Sequence, residues 1–342
     1  MYAIGFQQPG SIDRDEALVN IELPMPTPEG RDVLVEVKAV SVNPVDVKIR
    51  QSAQPEPGNW QVLGWDAAGI VTAVGSEVTL FQPGDTVFYA GARGRPGTNA
   101  EYHLVDERIV GMKPKTLDWA AAAALPLTSI TAWEMLFDRL DVKRSVPGAA
   151  PAILIVGGAG GVGSIAIQMA RALTDLTVIG TASRPETVAW AKEMGAHHVI
   201  DHTLPLAEQV AALGLGAPAF VFSTTQTDRH IDALAELIAP QGRFGLIDDP
   251  AILDIIRFKR KSVSIHWELM FTRSMFNTPD IAQQGKLLNE VSRLVDEGVL
   301  RTTMTERYSP INAANLKRVH MLIESSKARG KIVLEGFDAA AK

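Results

Sequence analysis

Two rhythms of apolar and polar residues divide the chain. Over roughly the first 125 residues, short β-branched runs such as 32–42 and 67–74 are separated by turn residues. Pro24, Pro26, Pro28 and Gly30 make one such turn and Pro83-Gly84-Asp85 another, which predicts a β-rich unit. From residue 126 the rhythm becomes strand, glycine turn, helix, strand, as a parallel sheet with crossover helices requires. Strands are predicted at 152–156, 176–180, 198–200, 220–222 and 242–247, with helices at 162–173, 186–194, 206–213 and 231–237. The first helix carries an apolar stripe at Val162, Ile165, Ala166, Met169, Ala170 and Leu173. Residues 261–271 read as an edge strand, 280–297 as a long helix and 331–335 as a closing strand, while the glycine-rich stretch 90–98 reads as an irregular loop.

Length supports the same division, because 342 residues exceed what one core usually organises. A net charge of -6 argues against nucleic acid and anionic membrane as partners, both of which reward clustered positive charge. The one basic cluster, Arg257, Lys259, Arg260 and Lys261, is read as bordering the edge strand. The opening MYAIGFQQPG lacks the pattern of a secretory signal and no apolar run approaches a membrane span, so a cytoplasmic protein is expected. The absence of cysteine removes disulfides, thiolate zinc sites, iron–sulfur clusters and cysteine nucleophiles together.

Chemistry enters at Gly158-Ala159-Gly160-Gly161-Val162-Gly163. This G-x-G-x-x-G falls between a buried strand and an amphipathic helix, the context of a dinucleotide-binding turn. The first glycine permits the turn, the second admits a pyrophosphate to backbone N–H groups, and the third lets helix and strand pack closely. About twenty residues on, where an NAD site presents a carboxylate to the ribose 2′-hydroxyl, the chain has Thr181-Ala182-Ser183-Arg184. Ser183 and Arg184 suit a 2′-phosphate, so NADPH is the expected cofactor, although Arg184 also reads as a solvated helix-start residue. His197, His198, Asp201 and His202 form a metal-like group, but one placed on a strand of the predicted cofactor domain, and no metal is expected there.

Several further motifs carry a resemblance that runs from end to end. They are Ser41-Val42-Asn43-Pro44-Val45-Asp46, Gly64-Trp65-Asp66-Ala67-Ala68-Gly69, Pro83-Gly84-Asp85-Thr86-Val87, residues 120–133, the glycine loop and Gly330-Lys331-Ile332-Val333-Leu334. With them the chain resembles the medium-chain dehydrogenase/reductase superfamily, in particular its zinc-free quinone oxidoreductase and zeta-crystallin-like branch. It is most similar to the subgroup labelled zinc-type alcohol dehydrogenase-like. The resemblance implies an α/β fold with a Rossmann doubly wound parallel sheet at 126–269 and a β-rich, GroES-like catalytic domain at 1–125 and 270–342.

Zinc-dependent members hold their catalytic metal with a Cys in the first motif and a His followed by Glu in the second. Asn43, Trp65 and Asp66 stand at those positions here, and an amide and an indole do not replace a thiolate and an imidazole. By resemblance, Asn43, Asp46 and Thr128 lie near the nicotinamide, although each also reads as a cap of a turn or helix. Lys48, standing where some quinone reductases carry tyrosine, is a candidate proton donor or phosphate contact, and Lys331 is grouped with the cofactor-binding residues. Trp65, Trp267, Met270 and Phe271 are candidates for an apolar wall beside a flat acceptor, with core packing as the competing reading. The resemblance also implies a homodimer paired through the 261–271 strand. The expected activity is metal-independent hydride transfer from NADPH to a small quinone, activated carbonyl or enone. Rival expectations are a 2-enoyl or alkenal C=C reductase and a non-catalytic NADPH-binding structural or sensing protein.

Overall fold

The computed structural model describes residues 1–337, and these form two compact units, one of residues 1–127 and 271–337 and the other of residues 128–270. In chain order the first unit contains β1 (Tyr2–Phe6), β2 (Val19–Glu22), β3 (Asp32–Val42), α1 (Pro44–Ser52), β4 (Gln61–Val62), β5 (Asp66–Val74), β6 (Thr86–Ala90), β7 (Tyr102–Asp106), β8 (Val110–Met112) and α2 (Trp119–Ala123). Helix α3 (Pro126–Trp133) spans the boundary in sequence. The second unit continues with β9 (Ala150–Val156), α4 (Gly161–Leu173), β10 (Thr177–Thr181), α5 (Pro185–Glu193), β11 (His198–Ile200), α6 (Leu206–Ala212), β12 (Pro218–Ser223), α7 (Thr227–Leu237), β13 (Arg243–Leu246) and β14 (Ser264–Trp267). The chain then returns to the first unit through α8 (Thr272–Met275), α9 (Gln283–Asp296), β15 (Met304–Tyr308), α10 (Ala313–Glu324) and β16 (Lys331–Glu335).

In the first unit, the eleven-residue β3 organises the main sheet, whose order is β15-β16-β3-β5-β6-β8 with β7 also paired to β3. β16 lies antiparallel against β3, with Ile332 opposite Val42, so the start of β16 is brought to the start of α1. Two buried histidines brace this unit. His103 donates Nε2–H to the Pro96 carbonyl at 3.0 Å, which leaves Nδ1 to accept from the Tyr89 hydroxyl at 3.1 Å. His320 on α10 takes the Nε–H of Arg50, a buried guanidinium on α1 that also binds Glu324 and the Gly10 carbonyl.

Burial pushes His103 down to about 4 and His320 down to about 3, from an ordinary 6.5. Both folded values lie below the unfolded one, so each contribution to stability is complete above pH 6.5 and is lost as pH falls toward the folded value. At pH 5 the loss is roughly 2 kcal/mol for each histidine. Asp46 opposes this trend, because burial pushes it up to about 7 and protonation between pH 7 and 3.8 favours the folded state. The expected result is that His320→Gln unfolds less steeply than wild type between pH 6.5 and 5, by roughly 2 kcal/mol; parallel urea titrations at several pH values measure it.

In the second unit, six parallel strands run in the order β11-β10-β9-β12-β13-β14. The order reverses at β9, and in such sheets ligands bind beyond the carboxyl ends of the strands at that point. The stripe of α4 buries Ile165, Ala166, Met169 and Ala170 completely, and complete burial of each large side chain contributes roughly 1.5–3 kcal/mol. On the other side of the sheet, Phe244 stacks on Phe258 with centroids 4.9 Å apart.

The structure corrects two expectations. The edge strand is only Ser264–Trp267: Lys261 still belongs to the 3₁₀ helix Ile255–Lys261, which takes in the basic cluster, and Ser262 caps that helix in the left-handed region, so pairing with β13 begins at Ser264. The stretch Trp119–Arg139 forms a helical run long and apolar enough to cross a membrane by length and composition alone. Its most apolar window is 89% buried within the protein, as in a core helix. Residues 91–98, beyond the end of β6, contain no regular element.

Candidate active site

Of the catalytic candidates in the first unit, Asn43 and Asp46 meet in one buried network with Asp66 and Lys331. Asn43 caps α1 from an extended conformation, and Asp46, in the first turn, reaches back to accept the Asn43 N–H at 2.8 Å. The other Asp46 oxygen accepts Gly64 N–H at 2.9 Å. Burial raises Asp46 to about 7 against the opposing pull of these amides and of Lys331. Asp66, at the head of β5, accepts Leu127 N–H at 2.7 Å on one oxygen and Asn43 Nδ2–H at 2.8 Å on the other.

Lys331 completes the network from β16. Its ammonium gives one hydrogen bond each to Val42 O and Asp66 Oδ2, both at 3.0 Å, and one to Asn43 Oδ1. Three acceptors use all three of its protons, and Lys331 and Asp66 are both almost fully buried. Lys331, grouped in the sequence with the cofactor contacts, is therefore an internal part of the carboxylate network. Lys48 stands apart from this network: two residues after Asp46 is about 200° around a helix, so it leaves α1 on the opposite face and is exposed.

Among the apolar candidates of this unit, Trp65 and Phe271 pack edge to face with centroids 5.8 Å apart. In the second unit, Met270 is buried, whereas Trp267 is 54% exposed on the edge strand. Thr128 is buried in α3.

The glycine loop follows β9 as the sequence predicts. Thr181 fastens it, accepting Gly158 N–H on its carbonyl and Gly157 N–H on its hydroxyl, both at 3.0 Å. Gly163 faces the loop so closely that a Cβ there would fall 2.2 Å from Gly157 O and 2.8 Å from Gly158 Cα. Gly160 differs: a Cβ would meet only Gly157 O, at 3.4 Å, so packing within the protein does not demand glycine there. Together with the open N–H groups of the first turn of α4 and the lack of an acidic residue in that turn, this is a cradle that fits a dinucleotide pyrophosphate.

At the end of β10, Arg184 caps α5 and forms a partly exposed ion pair with Glu186 at 3.3 Å. A surface pair of this kind is worth little, so a phosphate can compete for the guanidinium. His198 lies in β11 and His202 packs against His230 of α7, with centroids 6.4 Å apart. Among the described residues no group of three or more histidine, cysteine or acidic side chains could hold a metal ion.

Sequence reasoning missed the joining of Asn43, Asp46, Asp66 and Lys331, although each residue stood in a motif. Residues 43 and 331 are 288 positions apart and meet only because β16 pairs with β3. The Tyr89–His103–Pro96 chain was missed as well, and no local pattern marks it.

Two family profiles match the chain: the alcohol dehydrogenase GroES-like domain over residues 29–115 and the zinc-binding dehydrogenase domain over residues 161–284. A zinc-type alcohol dehydrogenase-like protein of Staphylococcus aureus (strain MSSA476) is 39% identical over 98% of this chain and 99% of its own length. A quinone oxidoreductase of Pseudomonas aeruginosa is 30% identical over 90% of this chain and 92% of its own. A solved structure from Rhizobium etli CFN 42, assigned to the zinc-dependent alcohol dehydrogenases, is 72% identical, covers 99% of this chain and 98% of its own, and superposes with a TM-score of 0.98.

The zinc in these family names does not fit the residues present. Asn43 offers an amide, Trp65 an indole without a lone pair for a metal, and both Asp66 oxygens are occupied by protein donors. Two family profiles in tandem, relatives matched from end to end, a reversed parallel sheet with its glycine cradle and the buried carboxylate network lead to one assignment: the chain belongs to the medium-chain dehydrogenase/reductase superfamily of oxidoreductases.

Proposed function

We propose that the protein is an NADPH-dependent reductase that delivers hydride to a quinone, an activated carbonyl or an enone without a metal at the acceptor. The observation that carries the reading is the ammonium of Lys331, bound to Asn43, which stands where zinc-dependent relatives place a ligating cysteine, and to Asp66, which follows the position of their ligating histidine. Reduction of a plain ketone concentrates charge on one oxygen and favours a Lewis acid, whereas quinones and enones spread that charge themselves. The P. aeruginosa quinone oxidoreductase, related over nearly the whole chain, supports this acceptor class.

NADPH, when bound, supplies the hydride; the chain's part is to hold it and orient the acceptor. Gly160 and the first turn of α4 suit the pyrophosphate, and Ser183 with Arg184 suits a 2′-phosphate at the end of β10. Arg184→Ala is expected to weaken NADPH about 10- to 100-fold while leaving NADH unchanged, as losing a charge-assisted hydrogen bond implies. Fluorescence titration with both nucleotides checks it, and undiminished discrimination contradicts the assignment.

The homodimer reading draws support from β14, an edge strand with exposed Trp267 and with Leu269 exposed just beyond it. Turnover by protein treated with a metal chelator tests the activity. Reduction of a C=C bond with the carbonyl left intact would turn the reading to an alkenal reductase.

A further inference from the structure

The first unit buries an N–H group that nothing answers. Trp65 is 3% exposed, and among the described residues its indole Nε1 has no hydrogen-bond partner. A buried donor left unmade costs roughly 1–3 kcal/mol, and such a group in a folded protein calls for a reason. The polar groups beside it in the sequence are already engaged. Gly64 N donates to Asp46, Trp65 O accepts from Gly91 N, and both Asp66 oxygens are taken.

The groups packed on the indole offer its N–H no acceptor. Phe271 lies edge-on to the ring rather than capping the N–H with a polar atom. Gly91 faces the carbon next to the nitrogen, where a Cβ would sit 3.7 Å from Trp65 Cδ1. A second unanswered donor, Asn99 Nδ2, belongs to the segment whose backbone pairs with Leu63 and Gly64.

We propose that Trp65 Nε1–H is a catalytic hydrogen-bond donor that holds the acceptor's oxygen and stabilises the charge developing on it. This deepens the function proposed above and rests on it. As hydride adds to the electrophilic carbon of the acceptor, the displaced π pair moves, directly or through the conjugated system, onto the oxygen. The indole N–H donates to that oxyanion and keeps its own proton; water supplies the proton that completes the alcohol, enol or quinol. Shielding from bulk solvent makes one such bond worth on the order of 10²-fold in rate.

The test replaces Trp65 with 3-benzothienylalanine, in which sulfur stands for the N–H at nearly unchanged ring shape, alongside Trp65→Phe. With NADPH and an enone or quinone, kcat of the sulfur analogue is expected to fall about 10²-fold with KM changed little. The melting temperature and NADPH affinity should stay at wild-type values, since no bond within the protein is lost. In a readout independent of turnover, 4-nitrophenolate, an aryl oxyanion, should bind the sulfur analogue about tenfold more weakly, followed by its visible absorption. An active wild type with an equally active sulfur analogue overturns this inference alone. A wild type inactive on every acceptor overturns the function it rests on as well.

Discussion

Lys331→Met should cost the protein about 3–5 kcal/mol, the largest stability effect expected of any single substitution in the candidate site. Among the described residues the lysine is one of three donors to this buried carboxylate and the one that carries a full charge, at 3.0 Å. Removing it leaves Asp66 unpaired in a medium that solvates charge poorly, and strips a donor from Val42 O and Asn43 Oδ1. For a domain of this size the loss corresponds to a fall in melting temperature of roughly 6–20 °C. Asp66→Asn combined with Lys331→Met should recover part of it, because deleting both charges relieves the unpaired one. Thermal unfolding of the single and double variants measures both. A single variant within about 1 kcal/mol of wild type would mean that the pair contributes little.

Gly163→Ala should abolish useful nucleotide binding, for a reason that Gly160→Ala separates from the ligand's own needs. At position 163 the new methyl would fall 2.2 Å from the Gly157 carbonyl, and backbone cannot yield as a flexible side chain can. Helix α4 must move away from the loop, at a cost typical of overpacking, about 1–3 kcal/mol, together with at least 10²-fold in NADPH affinity. At position 160 the methyl meets protein only at 3.4 Å, so the fold should keep its melting temperature. Its methyl should nevertheless obstruct the pyrophosphate and weaken NADPH by a similar factor. Nucleotide titration and thermal unfolding of both variants check the pair, and a Gly160→Ala protein that binds NADPH normally would refute the cradle.

What could be read from the sequence follows from the range of the forces involved. The strand, glycine turn and helix around Gly158 were legible because local periodicity and a turn requirement fix them within some twenty residues. Shortening of the last edge strand was not legible. Residues 255–261 are apolar and basic, yet Phe258 alone is buried, against Phe244, and the rest coil outward. The roles of Lys48 and Lys331 exchanged weight for a similar reason. A motif names a residue, but helix phase turns Lys48 outward and β16–β3 pairing carries Lys331 inward. The unanswered N–H of Trp65 is a property of three-dimensional packing and has no signature in the chain.

The measurement that tests the account most directly is oxidation of NADPH by chelator-treated protein in the presence of quinones, enones and simple ketones, with NADH run in parallel. The account predicts turnover of quinones or enones that survives chelation, prefers NADPH and leaves simple ketones nearly untouched. Ketone reduction restored only by added zinc would contradict it, and NADPH binding without oxidation of any acceptor would show a nucleotide-binding protein in place of a reductase.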